Sequence, residues 1–278
     1  MLVQLIRGAI LVAAVAIGAA RAEPIAIVTD VQGRASLQSG ATRVPVTILA
    51  EIADGARVQL AGGARVTTLY LRSGDEYTAQ GPGTVEFKAA RPDASGGATL
   101  SHRAPAKGRE IRIRPAGVAQ GGLVLRSLGT SLVSPVASTT LDLRPEFVWG
   151  GGRRGVRYRF TLTDAEDAVV HSAEVEERSV RLPERVALKP GALYRWEVSV
   201  QADAGHLQGA RATFRTATEE LRTRAQSLRP DAGAAFSGRV AYTFWLDQME
   251  LRDEARRWWR ELSAQRPDDA ELRERAAN

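Results

Sequence analysis

The sequence predicts a mainly β protein, made of two successive β modules and a small helical C-terminal region. Three observations predict it. Short apolar alternations punctuated by Gly and Pro fill residues 23–115, the pattern of brief strands joined by turns. Residues 130–216 carry longer alternating runs with spaced aromatics. From residue 217 the apolar spacing lengthens from two to three and four, the helical period.

The chain opens on a seven-residue stretch with one positive charge, followed by the apolar run Gly8 to Ala20 and the small-x-small site Ala20-Arg21-Ala22. That is the three-part layout of a secretory leader, cleaved after Ala22. The run falls short of the roughly 20 apolar residues that span a bilayer, although a retained N-terminal anchor is the alternative. The expected location is therefore the periplasm, with no stable membrane span after cleavage. Loss of Arg7 and Arg21 lowers the formal charge from +6 to +4. Lysine occurs only at Lys88, Lys107 and Lys189, and the arginines are interspersed with acids rather than clustered, so no nucleic-acid partner is expected. Absence of cysteine excludes disulfides, thiol catalysis, cysteine-ligated zinc and a lipid-modified cysteine at the cleavage site.

In residues 23–115 the strand candidates are Ile25–Val28, Ala35–Leu37, Arg57–Leu60, Arg65–Leu71 and Thr84–Phe87. Between them lie Ser39-Gly40, Asp54-Gly55, Gly62-Gly63, Ser73-Gly74-Asp75 and Gly81-Pro82-Gly83. Leu49 to Gly74 places a D-G turn, a strand, a small-residue turn and a second strand ending in Ser-Gly. This order resembles the FecR domain, and Gly81-Pro82-Gly83 fits its following Pro-bearing turn. Known members of that family include membrane regulators with a cytoplasmic anti-sigma segment. Only seven residues precede the apolar run here, so anti-sigma activity is not expected.

Residues 116–129 are the expected linker. In residues 130–216, Pro145-Glu146-Phe147-Val148-Trp149 puts both aromatics on one face, and Tyr158 to Leu162 alternates before a hairpin tip at Asp164 to Asp167. Leu188-Lys189-Pro190-Gly191-Ala192-Leu193-Tyr194-Arg195-Trp196-Glu197-Val198 resembles the fibronectin type III pattern. The resemblance implies a β-sandwich in which the Tyr194 hydroxyl bonds back to the corner and Trp196 and Val198 face the core.

Residues 217–278 read as helical. Thr216-x-x-Glu219 suggests a capping box ahead of Leu221, Ala225 and Leu228, with Pro230 as a stop. Phe236–Met249 and Leu251–Gln265 are expected to form an antiparallel pair, with Asp269–Asn278 as a cap. The spacing of Ala255, Trp258, Trp259, Leu262 and Pro267 resembles the second half of a tetratricopeptide repeat. Tyr242 and Leu246 then fall in its first-helix core, while Arg239 and Thr243 depart from the pattern. One repeat cannot bury its faces alone, so it must pack on the sandwich, pair with a copy or dock a partner.

Chemistry is sparse. His102, His171 and His206 are isolated from one another, whereas a metal site needs clustered ligands. No Gly-x-Ser-x-Gly occurs, and Gly150 to Gly155 leads from strand to strand, so it lacks the helix N-terminus of a phosphate loop. No enzyme activity, metal or cofactor is expected. Two candidate surfaces remain. Arg109, Arg112 and Arg114 alternate with apolar residues, as in a strand with Ile111 and Ile113 inward. They would meet lipid headgroups or anionic wall polymers, or simply protect a sheet edge. Trp245, Arg256, Arg257 and Trp258 have the composition of a binding hot spot, although Trp258 could instead pack on the sandwich. The expected function is a non-enzymatic adaptor for an envelope or inner-membrane protein, with sensing for a membrane signalling protein as one role. A module binding a cell-wall glycan is the alternative.

Overall fold

The computed structural model describes residues 23–39, 42–112, 130–151, 156–201 and 207–277. The leader, the linker, Arg114 and His206 lie outside them. The N-terminal module contains β1 (Pro24–Gln32), β2 (Ala35–Ser39), β3 (Thr42–Pro45), β4 (Glu51–Ala53), β5 (Arg57–Leu60), β6 (Arg65–Tyr70), β7 (Glu76–Gln80), β8 (Gly83–Glu86), β9 (Asp93–Ser95) and β10 (Thr99–Arg103). They form two sheets, ordered β10-β7-β6-β1-β4 and β3-β2-β5-β8-β9. Ala26, Val28, Val66 and Tyr70 from the first meet Leu37, Val58, Leu60 and Val85 from the second in one core. Turn chemistry sets the register. Gly55 has φ 77° in the turn before β5, and Gly83 has φ 143° with Ala98 N only 2.4 Å from where a Cβ would sit. Only glycine fits that second position.

The second module contains β11 (Thr130–Ser134), β12 (Thr139–Thr140), β13 (Glu146–Gly151), β14 (Tyr158–Thr163), β15 (Val169–Val175), β16 (Ser179–Arg181), β17 (Leu193–Gln201) and β18 (Leu207–Thr216). A three-stranded sheet, β11-β13-β16, faces a five-stranded one, β12-β18-β17-β14-β15. Phe147 and Trp149 from one side pack among Phe160, Tyr194, Trp196 and Phe214 from the other. The Tyr194 hydroxyl accepts the Lys189 N–H at 2.9 Å, and Trp196 and Val198 are fully buried. The expected hairpin tip is a turn in which Asp164 Oδ1 accepts the N–H groups of Glu166 and Ala168.

Four helices follow: α1 (Glu219–Leu228), α2 (Phe236–Gln248), α3 (Arg252–Gln265) and α4 (Ala270–Ala277). The expected cap at Thr216 is corrected. Thr216 ends β18 fully buried, and its hydroxyl donates to Lys189 O at 2.6 Å. Thr218 caps α1 instead, accepting the Leu221 N–H at 3.3 Å. A hydroxyl already committed to the sandwich corner has no reach left for the helix.

The helices are wedged between both β modules. Their core, with Val240, Leu246, Ala255 and Leu262, takes in Ile48 from the first module and Ala217 from the end of the second. Ile27, Leu69 and Leu71, on the far face of the β1–β6 pair, pack against Ala241 of α2. This explains why Ala26 to Asp30 are buried without alternation. Of the two departures from the repeat pattern, Thr243 is fully buried and returns its hydroxyl to Arg239 O at 2.8 Å, and Arg239 donates to Gln265 Oε1 at 2.8 Å. Among the described residues no helix is long and apolar enough to cross a membrane.

The strand expected at Arg109–Arg114 is also corrected, because residues 109–112 form no strand. Arg224 of α1 donates to Gly108 O at 2.6 Å and Glu110 O at 2.5 Å, and Arg109 donates to Arg229 O at 2.9 Å. Backbone carbonyls pinned to a helix in this way are not offered to a neighbouring strand.

Candidate functional site

Helices α1, α2 and α3 and the Leu141–Asp142 loop after β12 line a groove of about 980 Å³. The sandwich presents the loop, which is tied down by Arg222 of α1: its Nε donates to Leu141 O at 3.2 Å and its guanidinium pairs with Glu219 at 2.8 Å. Tyr242 and Trp258 contribute aromatic surface, their rings meeting edge to face with centroids 5.4 Å apart. The Tyr242 hydroxyl donates to Ala225 O at 3.3 Å, and burial pushes its pKa up.

On the α3 wall, Glu254 Oε1 accepts the Leu141 N–H at 3.1 Å. Arg257 lies 3.6 Å away. Burial raises the Glu254 pKa, outweighing the Leu141 hydrogen bond and the Arg257 charge, which act the other way. The same effect acts on Asp247 of α2, whose carboxylate accepts the Trp259 indole N–H at 2.7 Å.

Two of the four expected docking residues, Arg257 and Trp258, line this groove. Trp245 is corrected: it is only 5% exposed and stacks on Tyr242 at 6.0 Å, so it belongs to the core. Arg256 turns to the other side of α3, pairs with Asp253 at 3.2 Å and lines a neighbouring cleft with Arg181 and Arg260. Arg257 and Glu254 border both this cleft and the groove, whereas Arg256, about 100° round the helix from Arg257, lines the cleft and not the groove. In the expected basic strip, Arg109 braces α1 and Arg112 is exposed. The residues that the sequence did not single out as a site are Glu254 and Tyr242.

Other candidates do not assemble. His102 Nε2 sits 2.8 Å from Asp75 Oδ1, and the ring stacks on Tyr77 at 4.7 Å. Hydrogen bonds involving Ser73 and His102 hold the Asp75 carboxyl below its ordinary range. His171 stands apart from this pair, and burial lowers its pKa. Among the described residues no three His, Cys, Asp or Glu side chains are placed to hold a metal ion. Tyr70 and Phe87 are buried in the first module's core.

No family model and no curated protein matches the chain. Among solved structures, CopC from Methylosinus trichosporium OB3b is 20% identical over 32% of this chain and 95% of that one, with a TM-score of 0.25. A β-1,2-glucanase from Parabacteroides distasonis is 10% identical over 87% of this chain, also with a TM-score of 0.25. The match spans 48% of the glucanase. Likenesses this distant bear on neither fold family nor chemistry.

Proposed function

We propose that this chain is an exported, non-enzymatic adaptor of the cell envelope that docks another envelope protein in the groove between α1 and α3. The observation that carries the reading is the convergence of Arg257 and Trp258 with Tyr242 and Glu254 in one groove. It lies beside the seam where Arg222 and Glu254 bind the Leu141 backbone of the second module, with Arg257 and Trp258 outside those hydrogen bonds. The modules fit a scaffold. A FecR-like first domain is supported by the turn order around Asp54-Gly55 and Gly81-Pro82-Gly83. A fibronectin type III-like second domain is supported by the three-on-five sheet order and the Tyr194 corner. The tetratricopeptide-like reading is supported by the α2–α3 pair with Ala255 and Trp259 buried between them. Such modules present surfaces rather than reacting groups.

Truncating the helices would not isolate the contact, because it would uncover Ile27, Ile48 and Leu71 of the first module. The test keeps the full chain and places a photo-cross-linking phenylalanine analogue at position 258. A second copy carries it at Val169, 65% exposed on the far sheet edge. An envelope protein captured in the exporting cells from position 258 and not from 169 is the expected result. Equal capture at both, or none at 258, removes the groove as the docking site. Retention of the chain on purified wall material with no protein captured would favour the glycan reading.

A further inference from the structure

Glu254, which lines both the groove and the neighbouring cleft, has a carboxylate oxygen that the described residues leave unsatisfied. The Glu254 side chain is only 9% exposed. Its Oε1 is committed to the Leu141 N–H, while Oε2 is sealed from solvent without a hydrogen-bond partner. Native proteins pair nearly all such groups, because stripping one of water without returning a donor is costly. The nearest cation, Arg257, stands 3.6 Å from Oε1, outside hydrogen-bond reach. Its side chain is 64% exposed, so it has room to swing away from Glu254 into solvent.

On the groove side of this carboxylate the charges left over are acidic, whereas the neighbouring cleft that Glu254 also lines carries Arg181, Arg256 and Arg260. Arg222 is committed to Glu219 and to Leu141 O. Asp142 and Glu261 line the groove with no ion pair among the described residues, opposed only by Arg229. Tyr242 and Trp258 supply aromatic surface suited to an alkyl stem that ends in a cation. An acidic ligand would instead set like charge against Glu254 and Glu261.

Building on the docking reading above, we propose that this groove receives a lysine or arginine side chain of the partner protein. Its ammonium or guanidinium gives Glu254 Oε2 the donor it lacks as Arg257 swings outward, and its stem lies against Trp258.

The test titrates the full mature chain, with indole-labelled tryptophan, using Nα-acetyl-lysine amide and Nα-acetyl-norleucine amide as probes. The Trp258 resonance is assigned by its loss in Trp258→Phe. The lysine probe is expected to saturate the Trp258 shift, with norleucine about tenfold weaker or more. Glu254→Gln should weaken the lysine probe by about tenfold without lowering the unfolding midpoint. Arg257→Ala, which removes the internal competitor, should tighten it. Equal binding of the two probes, or lysine binding unchanged in Glu254→Gln, overturns the proposal. The cross-link from position 258 separates this from the docking reading. Capture abolished by Glu254→Gln supports both. Capture unchanged by Glu254→Gln overturns the cationic insertion and leaves the docking reading standing. Lysine binding with no protein captured overturns the partner protein as occupant.

Discussion

Arg266, just after α3, reaches across 236 positions of sequence to set its guanidinium 2.5 Å from the carboxylate of Asp30 in β1. The same guanidinium lies 3.7 Å from the centre of the Phe236 ring. Asp30 is 8% exposed, so this pair fastens the last helices to the first strand where water screens it poorly. Around it, Ser237 donates to Glu76 Oε2 at 2.9 Å and Arg224 holds the 108–110 segment. On the other side Arg222 and Glu254 bind the Leu141 backbone of the second module, so the helices join the two β modules rather than trailing from them.

Removing Arg266 should consequently unsettle more than a surface turn. Arg266→Ala leaves Asp30 buried without its cation, at an expected cost of about 2 to 4 kcal/mol. Urea unfolding reads the loss directly. The double variant with Asp30→Ala should lose less than the sum of the two single changes, because both act on one contact.

The Tyr194 corner gives a smaller and more local effect. Tyr194→Phe keeps the ring stacked on Phe214, whose centroid is 5.7 Å away, and deletes only the acceptor for the Lys189 N–H. About 1 kcal/mol of stability should be lost, seen as a lower unfolding midpoint with the near-ultraviolet aromatic signature retained.

Stability should also depend on pH through Glu254. Burial places its folded pKa above the ordinary carboxylate value, so the folded chain holds the proton more tightly than the unfolded chain does. Stability therefore falls as pH rises from the ordinary carboxylate range through the raised value, and stays lower above it. Glu254→Gln, which keeps an acceptor for the Leu141 N–H, should unfold later than the parent at about pH 8, the gap closing towards about pH 4. Asp247, raised by burial in the same way, leaves a residual slope in the variant. A gap that does not change with pH would mean that Glu254 is not the group responsible.

Capping distinguishes the two neighbouring threonines. Thr218→Ala removes the hydroxyl that accepts the Leu221 N–H and should cost about 1 kcal/mol, as N-cap losses do. Thr216→Val should act on the sandwich corner, where the hydroxyl also accepts the Ala192 N–H at 3.1 Å. Amide hydrogen exchange is the measurement. The first change should speed exchange in α1, and the second at the start of β17.

Much of the architecture was legible because it rests on local rules. Period-two alternation located β5, β14 and β17, glycines marked their turns, and the spacing of Ala255, Trp259 and Leu262 marked α3. The misreadings came where a local pattern had a distant competitor. Thr216 and Thr218 are equally good caps until the sandwich corner takes the first hydroxyl. Arg109 to Arg114 alternates like a strand until α1 takes its carbonyls. Trp245, Arg256, Arg257 and Trp258 share a hot-spot composition, yet helix packing buries the first, turns the second aside and leaves the last two in the groove. Glu254 stood in plain view beside Ala255, but the loop that seals it lies 113 residues away.

By itself, then, the sequence determined that short strands and turns precede a helical end and located several of these elements, though not β3, β4, β7, β9 or β10, because dihedral preference and hydrophobic period act over a few residues. Only the tertiary structure decided that the helices lie between the two β modules, and that Arg257, Trp258 and Glu254 share a groove with Leu141. Those outcomes depend on which buried surfaces and unpaired polar groups meet across more than a hundred residues, and no local spacing encodes that meeting.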